Sequence, residues 1–111
     1  MKKYLFYLMQ GQQMCALHAL MNAEALAEEH EVKIIFEGQA VKLPGEFAKD
    51  ENPLYKKLVD GGQVAGVCKA CSNQLGVLEE VKELGLPILD DMNGHAGVKP
   101  YTDKDFEVMV F

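Results

Sequence analysis

Val64-Ala65-Gly66-Val67-Cys68-Lys69-Ala70-Cys71-Ser72-Asn73-Gln74-Leu75-Gly76 is the stretch on which the fold assignment turns. Its first five residues form a short apolar run with the β-branched valines of a buried strand. Two cysteines spaced C-x-x-C close that run. An amphipathic segment with Leu75, Leu78 and Val81 on one side follows at once, and Gly85 is placed to cap it. The order is that of a βα unit, with sulfur at the N-terminal end of a helix. Unpaired N–H groups and the helix dipole favour a thiolate there, and Lys69 adds a positive charge beside it. The expectation is a nucleophilic thiol whose neighbour can resolve a mixed disulfide or persulfide.

The same alternation extends outward from this unit. Lys3 to Met9 reads as a first strand, apolar and aromatic enough to be buried on both faces. From Met14 to His30 the period becomes helical, with Ala16, Ala19, Leu20, Ala23, Leu26 and Ala27 in one stripe. Val32 to Phe36 is a second strand. Gln39 to Glu51 has no clear period, and Pro44-Gly45 marks a turn within it; the stretch is a functional loop or partly helical. Asn52-Pro53 opens a short helix, which Gly61-Gly62 stops. Gln63 to Val67 is the third strand, Leu86 to Leu89 the fourth and Phe106 to Phe111 the fifth, with a turn-rich segment from Asp90 to Asp103. Strands alternating with helices predict the α/β class. The chain, residues 1–111, is expected to form one three-layer α/β/α domain around a mainly parallel five-stranded sheet.

Composition narrows the function. The formal charge is −6, all 11 positive charges are lysines and there is no arginine. Such a chain is poorly suited to bind nucleic acid or an anionic membrane, because it lacks the bidentate fork that grips phosphate. No apolar run reaches the roughly 18–20 residues that a membrane helix needs. Met1 to Met9 superficially resembles a signal peptide but lacks a small-residue cleavage pattern, so it is read as a strand and the protein as cytoplasmic. Three cysteines are too few, and odd in number, for a secreted disulfide framework.

In a parallel sheet, ligands bind beyond the carboxyl ends of the strands. Cys15 with His18, Glu37-Gly38, Cys68 with Cys71, and Asp90-Asp91 with His95 all follow strand ends, so one shared rim is expected. A thioredoxin-type motif is disfavoured because it belongs after an early strand with aromatic, glycine and proline neighbours. A zinc site needs two ligands beyond the C-x-x-C pair, and no second such pair is present; Cys15, His18 or His95 could supply them if the rim closes tightly. Cys15 and His18 lie one helical turn apart and read more readily as a packed thiol and a half-exposed imidazole than as a catalytic pair. His95, in Asn93-Gly94-His95-Ala96-Gly97, is either a general acid/base or a solvent-exposed loop residue. No G-x-G-x-x-G fingerprint or P-loop is present, and no metal or cofactor is expected.

The chain resembles the DsrE/DsrF-like family of small sulfur-relay proteins over nearly its whole length. The likeness lies in the first strand and its alanine-rich helix, and in Phe36-Glu37-Gly38-Gln39-Ala40-Val41. It lies also in Cys68 with Gly76 eight residues beyond, and in the terminal strand ending in phenylalanine. Gln74-Leu75 stands where relatives often have arginine before the glycine. The resemblance implies an α/β fold, a homotrimer or homohexamer, and sulfane sulfur carried as a cysteine persulfide between donor and acceptor proteins. It implies Cys68 as the carrier and Cys71 as the second cysteine of a C-x-x-C subgroup. Lys69, by its charge, and Gly38 and His95, by their place at strand ends, are the substrate-binding candidates. The other reading is a non-catalytic oligomeric module that holds a small ligand or metal at the rim.

Overall fold

A computed structural model describes all 111 residues. The elements run in the order β1 (Lys3–Leu8), α1 (Gln13–Ala27), β2 (Glu31–Phe36), α2 (Leu43–Lys49), α3 (Pro53–Asp60) and β3 (Val64–Cys68). There follow α4 (Lys69–Gln74), α5 (Leu78–Glu83), β4 (Ile88–Leu89), α6 (Lys99–Thr102) and β5 (Glu107–Val110). The five strands form one sheet in the order β4-β3-β2-β1-β5. Every pairing is parallel. The protein is therefore a single α/β/α domain of the expected class.

Four successive strands step one way across the sheet and β5 returns to the far side of β1. Right-handed crossovers then place α1 to α5 on one face and the β4–β5 connection, with α6, on the other. The first layer is thick and the second thin. The Ala16, Ala19, Leu20 and Ala23 stripe of α1 is buried, its small residues letting the helix lie close on β1 and β2. Phe6, Ile34, Ile35, Phe36 and Val67 are fully buried between the layers. No helix is long and apolar enough to cross a membrane.

Of the two alternatives for Gln39 to Glu51, the partly helical one holds: a 3-10 turn over Gly38–Lys42 runs directly into α2. Two local readings are corrected. Pro44-Gly45 lies inside α2, because proline in a first helical turn costs no hydrogen bond and brings a ready-made φ. The single helix expected after Cys71 is two, α4 and α5, divided at Gly76 with its φ of +74°. The cap at Asn52 forms as expected, its Oδ1 accepting from the Tyr55 N–H at 2.9 Å.

Register decides what the sheet presents at its carboxyl edge. Leu8 pairs with Phe36, Phe36 with Val67, and Val67 with Ile88. The next row therefore sets Glu37 beside Cys68. A bulge makes this possible: Ile34 pairs with Val64 but Ile35 with Gly66, leaving Ala65 as an extra residue. That extra residue advances β3 by one position, so that Cys68 and not Val67 stands beside Glu37. Gly66 also lets β4 close on β3, since a Cβ there would meet the Pro87 carbonyl oxygen at 2.6 Å.

Candidate functional site

Glu37 is the first residue beyond β2 and is 4% exposed. A carboxylate so placed needs donors, and it has them. Oε1 accepts from the Gly38 N–H at 3.1 Å and from the Cys71 thiol at 2.8 Å. Oε2 accepts from the Ala96 N–H at 3.1 Å. Burial pushes the carboxyl up, but these hydrogen bonds and the Cys68 thiol outweigh it and hold the group below its ordinary value.

Cys68 ends β3 and caps α4, its Sγ accepting from the Cys71 N–H at 3.4 Å. The Ser72 hydroxyl donates to the Cys68 carbonyl oxygen at 2.6 Å and fixes the start of the helix. Cys68 is 0% exposed, whereas Cys71, one turn on, is half-buried. Cys71 opens onto a hollow of about 370 Å³ lined by Met9, Gln10, Gly38, Gln39, Gln74 and Leu75.

His95 arrives from the opposite layer. Met92-Asn93-Gly94-His95 is a tight hairpin, with Met92 and His95 exchanging N–H···O bonds of 2.8 and 2.9 Å. Asn93 and Gly94 have φ of +51° and +89°, the left-handed pair that an Asn-Gly hairpin turn requires. The segment is tied down at three points: Ala70 N–H to the Gly94 oxygen, Ala96 N–H to Glu37, and the Tyr7 hydroxyl to the Ala96 oxygen at 2.6 Å. Burial, then the Glu37 charge, push that hydroxyl up to about 12. The Nδ1 of His95 thereby lies 3.3 Å from Cys68 Sγ, 3.4 Å from Cys71 Sγ and 3.4 Å from Glu37 Oε1. One ligand atom from each of the four residues lies within 4.8 Å of the others.

The expected thiolate at a helix N-terminus is corrected. Burial pushes the Cys71 thiol up to about 12, and the Glu37 carboxylate and Cys68 act in the same direction. Burial raises Cys68 too, against the pull of the Cys71 N–H. A six-residue helix is too short to offset a buried carboxylate in contact with the sulfur. Lys69 gives no help, because its exposed ammonium turns out to Asp90 at 4.0 Å. Gly38 does belong: its N–H holds Glu37, and its φ of +54° beside the Met9 carbonyl leaves no room for strain-free substitution. Cys15 and His18 do not join the cluster. Both are exposed on α1, and the Cys15 thiol donates to Gln12 Oε1 at 3.5 Å. Glu37 is the ligand whose chemistry sequence reading passed over; its signal was a lone acidic residue between an apolar strand and a glycine.

No family profile matches the chain, and no solved structure matches it. An uncharacterized protein of Methanocaldococcus jannaschii, MJ0733, is 33% identical over 94 residues, which cover 84% of this chain and 77% of the relative. The chain belongs to the family of MJ0733. Family membership accordingly brings no activity with it.

Proposed function

We propose that this protein is a sulfur-relay or thiol-redox protein of DsrE/DsrF-like type that carries sulfane sulfur as a cysteine persulfide. The observation that carries this reading is the meeting of two thiols, an imidazole and a carboxylate, of which Cys71 lines a small hollow. Accessibility sets the roles: half-buried Cys71 meets the donor, and fully buried Cys68 lies behind it as the resolving or assisting thiol. This exchanges the roles that the resemblance implies.

At rest the thiols are protonated, so activation accompanies substrate. The Cys71 proton passes to His95 Nδ1, and the imidazolium is held against the Glu37 carboxylate at 3.4 Å. The thiolate attacks the outer sulfur of a donor persulfide, R–S–SH. The donor's S–S bond breaks, its electron pair leaves with RS⁻, and Cys71 becomes Cys71–S–SH. Hand-over repeats the step with an acceptor thiolate, with no net oxidation. Glutathione persulfide followed by peptide mass mapping tests this. One extra sulfur atom is expected on the Cys71 peptide, lost in Cys71→Ala. Undiminished uptake by a Cys68→Ala/Cys71→Ala double variant would sink the reading.

A homo-oligomer, trimer or hexamer, goes with this reading. Supporting it are Met14 (73% exposed) and Met21 (48% exposed) on α1, and Val110 (66% exposed) on edge strand β5. Light scattering at micromolar concentration should give a multiple of the 12.3 kDa chain mass; a monomer would count against it.

A further inference from the structure

Viewed as a donor set, the four side chains have a property that sulfur relay does not require. A tetrahedral zinc-class ion, with bonds of about 2.3 Å to sulfur and about 2.0–2.1 Å to nitrogen or oxygen, holds its ligands roughly 3.3–3.8 Å apart. The separations from His95 Nδ1 are 3.3, 3.4 and 3.4 Å, and Cys71 Sγ lies 2.8 Å from Glu37 Oε1. The ion itself would open that last edge by displacing the thiol proton, and the two remaining edges, from Cys68 Sγ to Cys71 Sγ and to Glu37, lie within 4.8 Å and need only close to the tetrahedral spacing.

The geometry points to a Cys₂HisGlu site for a borderline-soft divalent cation of the zinc class, held by Cys68, Cys71, His95 and Glu37. Two thiolates and an imidazole select such an ion over magnesium or calcium, which prefer all-oxygen shells. Binding is balanced by release of the two thiol protons. The outer contacts are in place without the metal: Gly38 N–H and Ala96 N–H orient the carboxylate, and Cys71 N–H points at Cys68 Sγ. Such contacts are what fix ligand orientation in metal sites. Cys71 gives the ion a way in from the hollow, and half-exposed His95 leaves the cluster open to solvent.

The four ligands are also the residues of the relay reading, but the site does not rest on it. An ion bound to both sulfurs withholds them from persulfide chemistry, so metal occupancy would switch the relay off.

Reduced, chelator-treated protein is titrated with Co²⁺ under anaerobic conditions. One equivalent per chain should give the visible bands of tetrahedral cobalt and a sulfur-to-cobalt charge-transfer band, both removed by one equivalent of Zn²⁺. Cys15→Ser should titrate identically. Glu37→Gln and His95→Ala should weaken binding at least about tenfold, and Cys71→Ser should halve the charge-transfer intensity. A rise in the melting midpoint with Zn²⁺ provides a second readout. Absence of charge transfer in folded wild-type protein, or an unchanged titration in Cys71→Ser, overturns the site. Persulfide uptake is measured on the same metal-free sample. Cobalt binding without uptake sinks the relay alone, and uptake without cobalt binding sinks the metal site alone.

Discussion

The chain holds two cysteine–histidine neighbourhoods, and only one of them brings sulfur and imidazole together in partly buried surroundings. Cys15 and His18 lie three residues apart on one helix, closer in sequence than any other such pair, yet both side chains face solvent. His95 is 27 residues from Cys68 and 24 from Cys71, yet its Nδ1 is within 3.4 Å of both sulfurs. Adjacency along a helix gives proximity without enclosure. The rim gives enclosure because three chain segments meet there: β2 placed by its register, β3 by its bulge, and the hairpin shaped by its Asn-Gly turn and docked by Ala96 N–H on Glu37. Backbone hydrogen bonds hold all three, the kind of preorganisation that chemistry or ion binding requires.

The contrast is sharpest in thiol reactivity. In native metal-free protein at neutral pH, a bulky maleimide should modify Cys15 roughly a hundredfold or more faster than Cys68, with Cys71 between them, because burial and a protonated sulfur both slow attack. Denaturant should bring the three rates together. Time-resolved peptide mapping reads the order directly, and native Cys68 reacting as fast as Cys15 would dissolve the distinction between the two neighbourhoods.

What the sequence made legible follows the same line. Apolar runs and their turn residues carry the order of elements along the chain and the parallel sheet, because these depend on periodicity, and the sheet's carboxyl edge is where the cluster lies. Cys68, Cys71 and His95 were visible as residue types following strands. Glu37 was not singled out for its chemistry, since an acidic residue after a strand is ordinarily a solvated one. Its role depends on Ala96 N–H and His95 arriving from 58 or 59 residues away. The bulge at Ala65 was nearly as hidden: its one signal is Gly66 within the strand, which equally marks the close approach of β4. The thiolate expectation failed for the same reason: burial at the rim, first, and then this non-local carboxylate raise both thiols.

Glu37 offers the next largest effect. Glu37→Ala removes the acceptor for two backbone N–H groups, Gly38 and Ala96, and should cost about 2–3 kcal/mol in urea unfolding. Glu37→Gln keeps an acceptor oxygen for one of them and should recover part of that loss. Equal stability of the alanine variant and wild type would mean that the hairpin does not depend on the carboxylate for docking.

Alkali should separate the neighbourhoods more gently. Cys71 has its folded value raised to about 12, so the folded state binds its proton more tightly than the unfolded state does. Its contribution is complete below the ordinary thiol range near 9 and is lost as pH climbs towards about 12. In chelator-treated protein, Cys71→Ser should therefore flatten the fall of stability above pH ~9 by about 1 kcal/mol per pH unit or less. Tyr7 and Tyr55, both raised to about 12 chiefly by burial, add a fall that persists in the variant. A Cys71→Ser curve parallel to wild type would show that the sulfur is freely solvated.

The smallest effect belongs to α1. Cys15→Ala and His18→Ala should each change stability by under about 0.5 kcal/mol, as surface substitutions do, and leave sulfane-sulfur uptake intact. A larger effect has one physical route in this structure: Met14 and Met21, exposed on the same helix, would have to be covered by a second copy of the chain. Dilution separates the cases. A loss of stability in Cys15→Ala that grows as protein concentration falls belongs to an interface between copies, whereas one independent of concentration belongs to the fold itself. In the first case the two neighbourhoods still differ as chemistry, because covering α1 brings no base or carboxylate to Cys15 within its own chain.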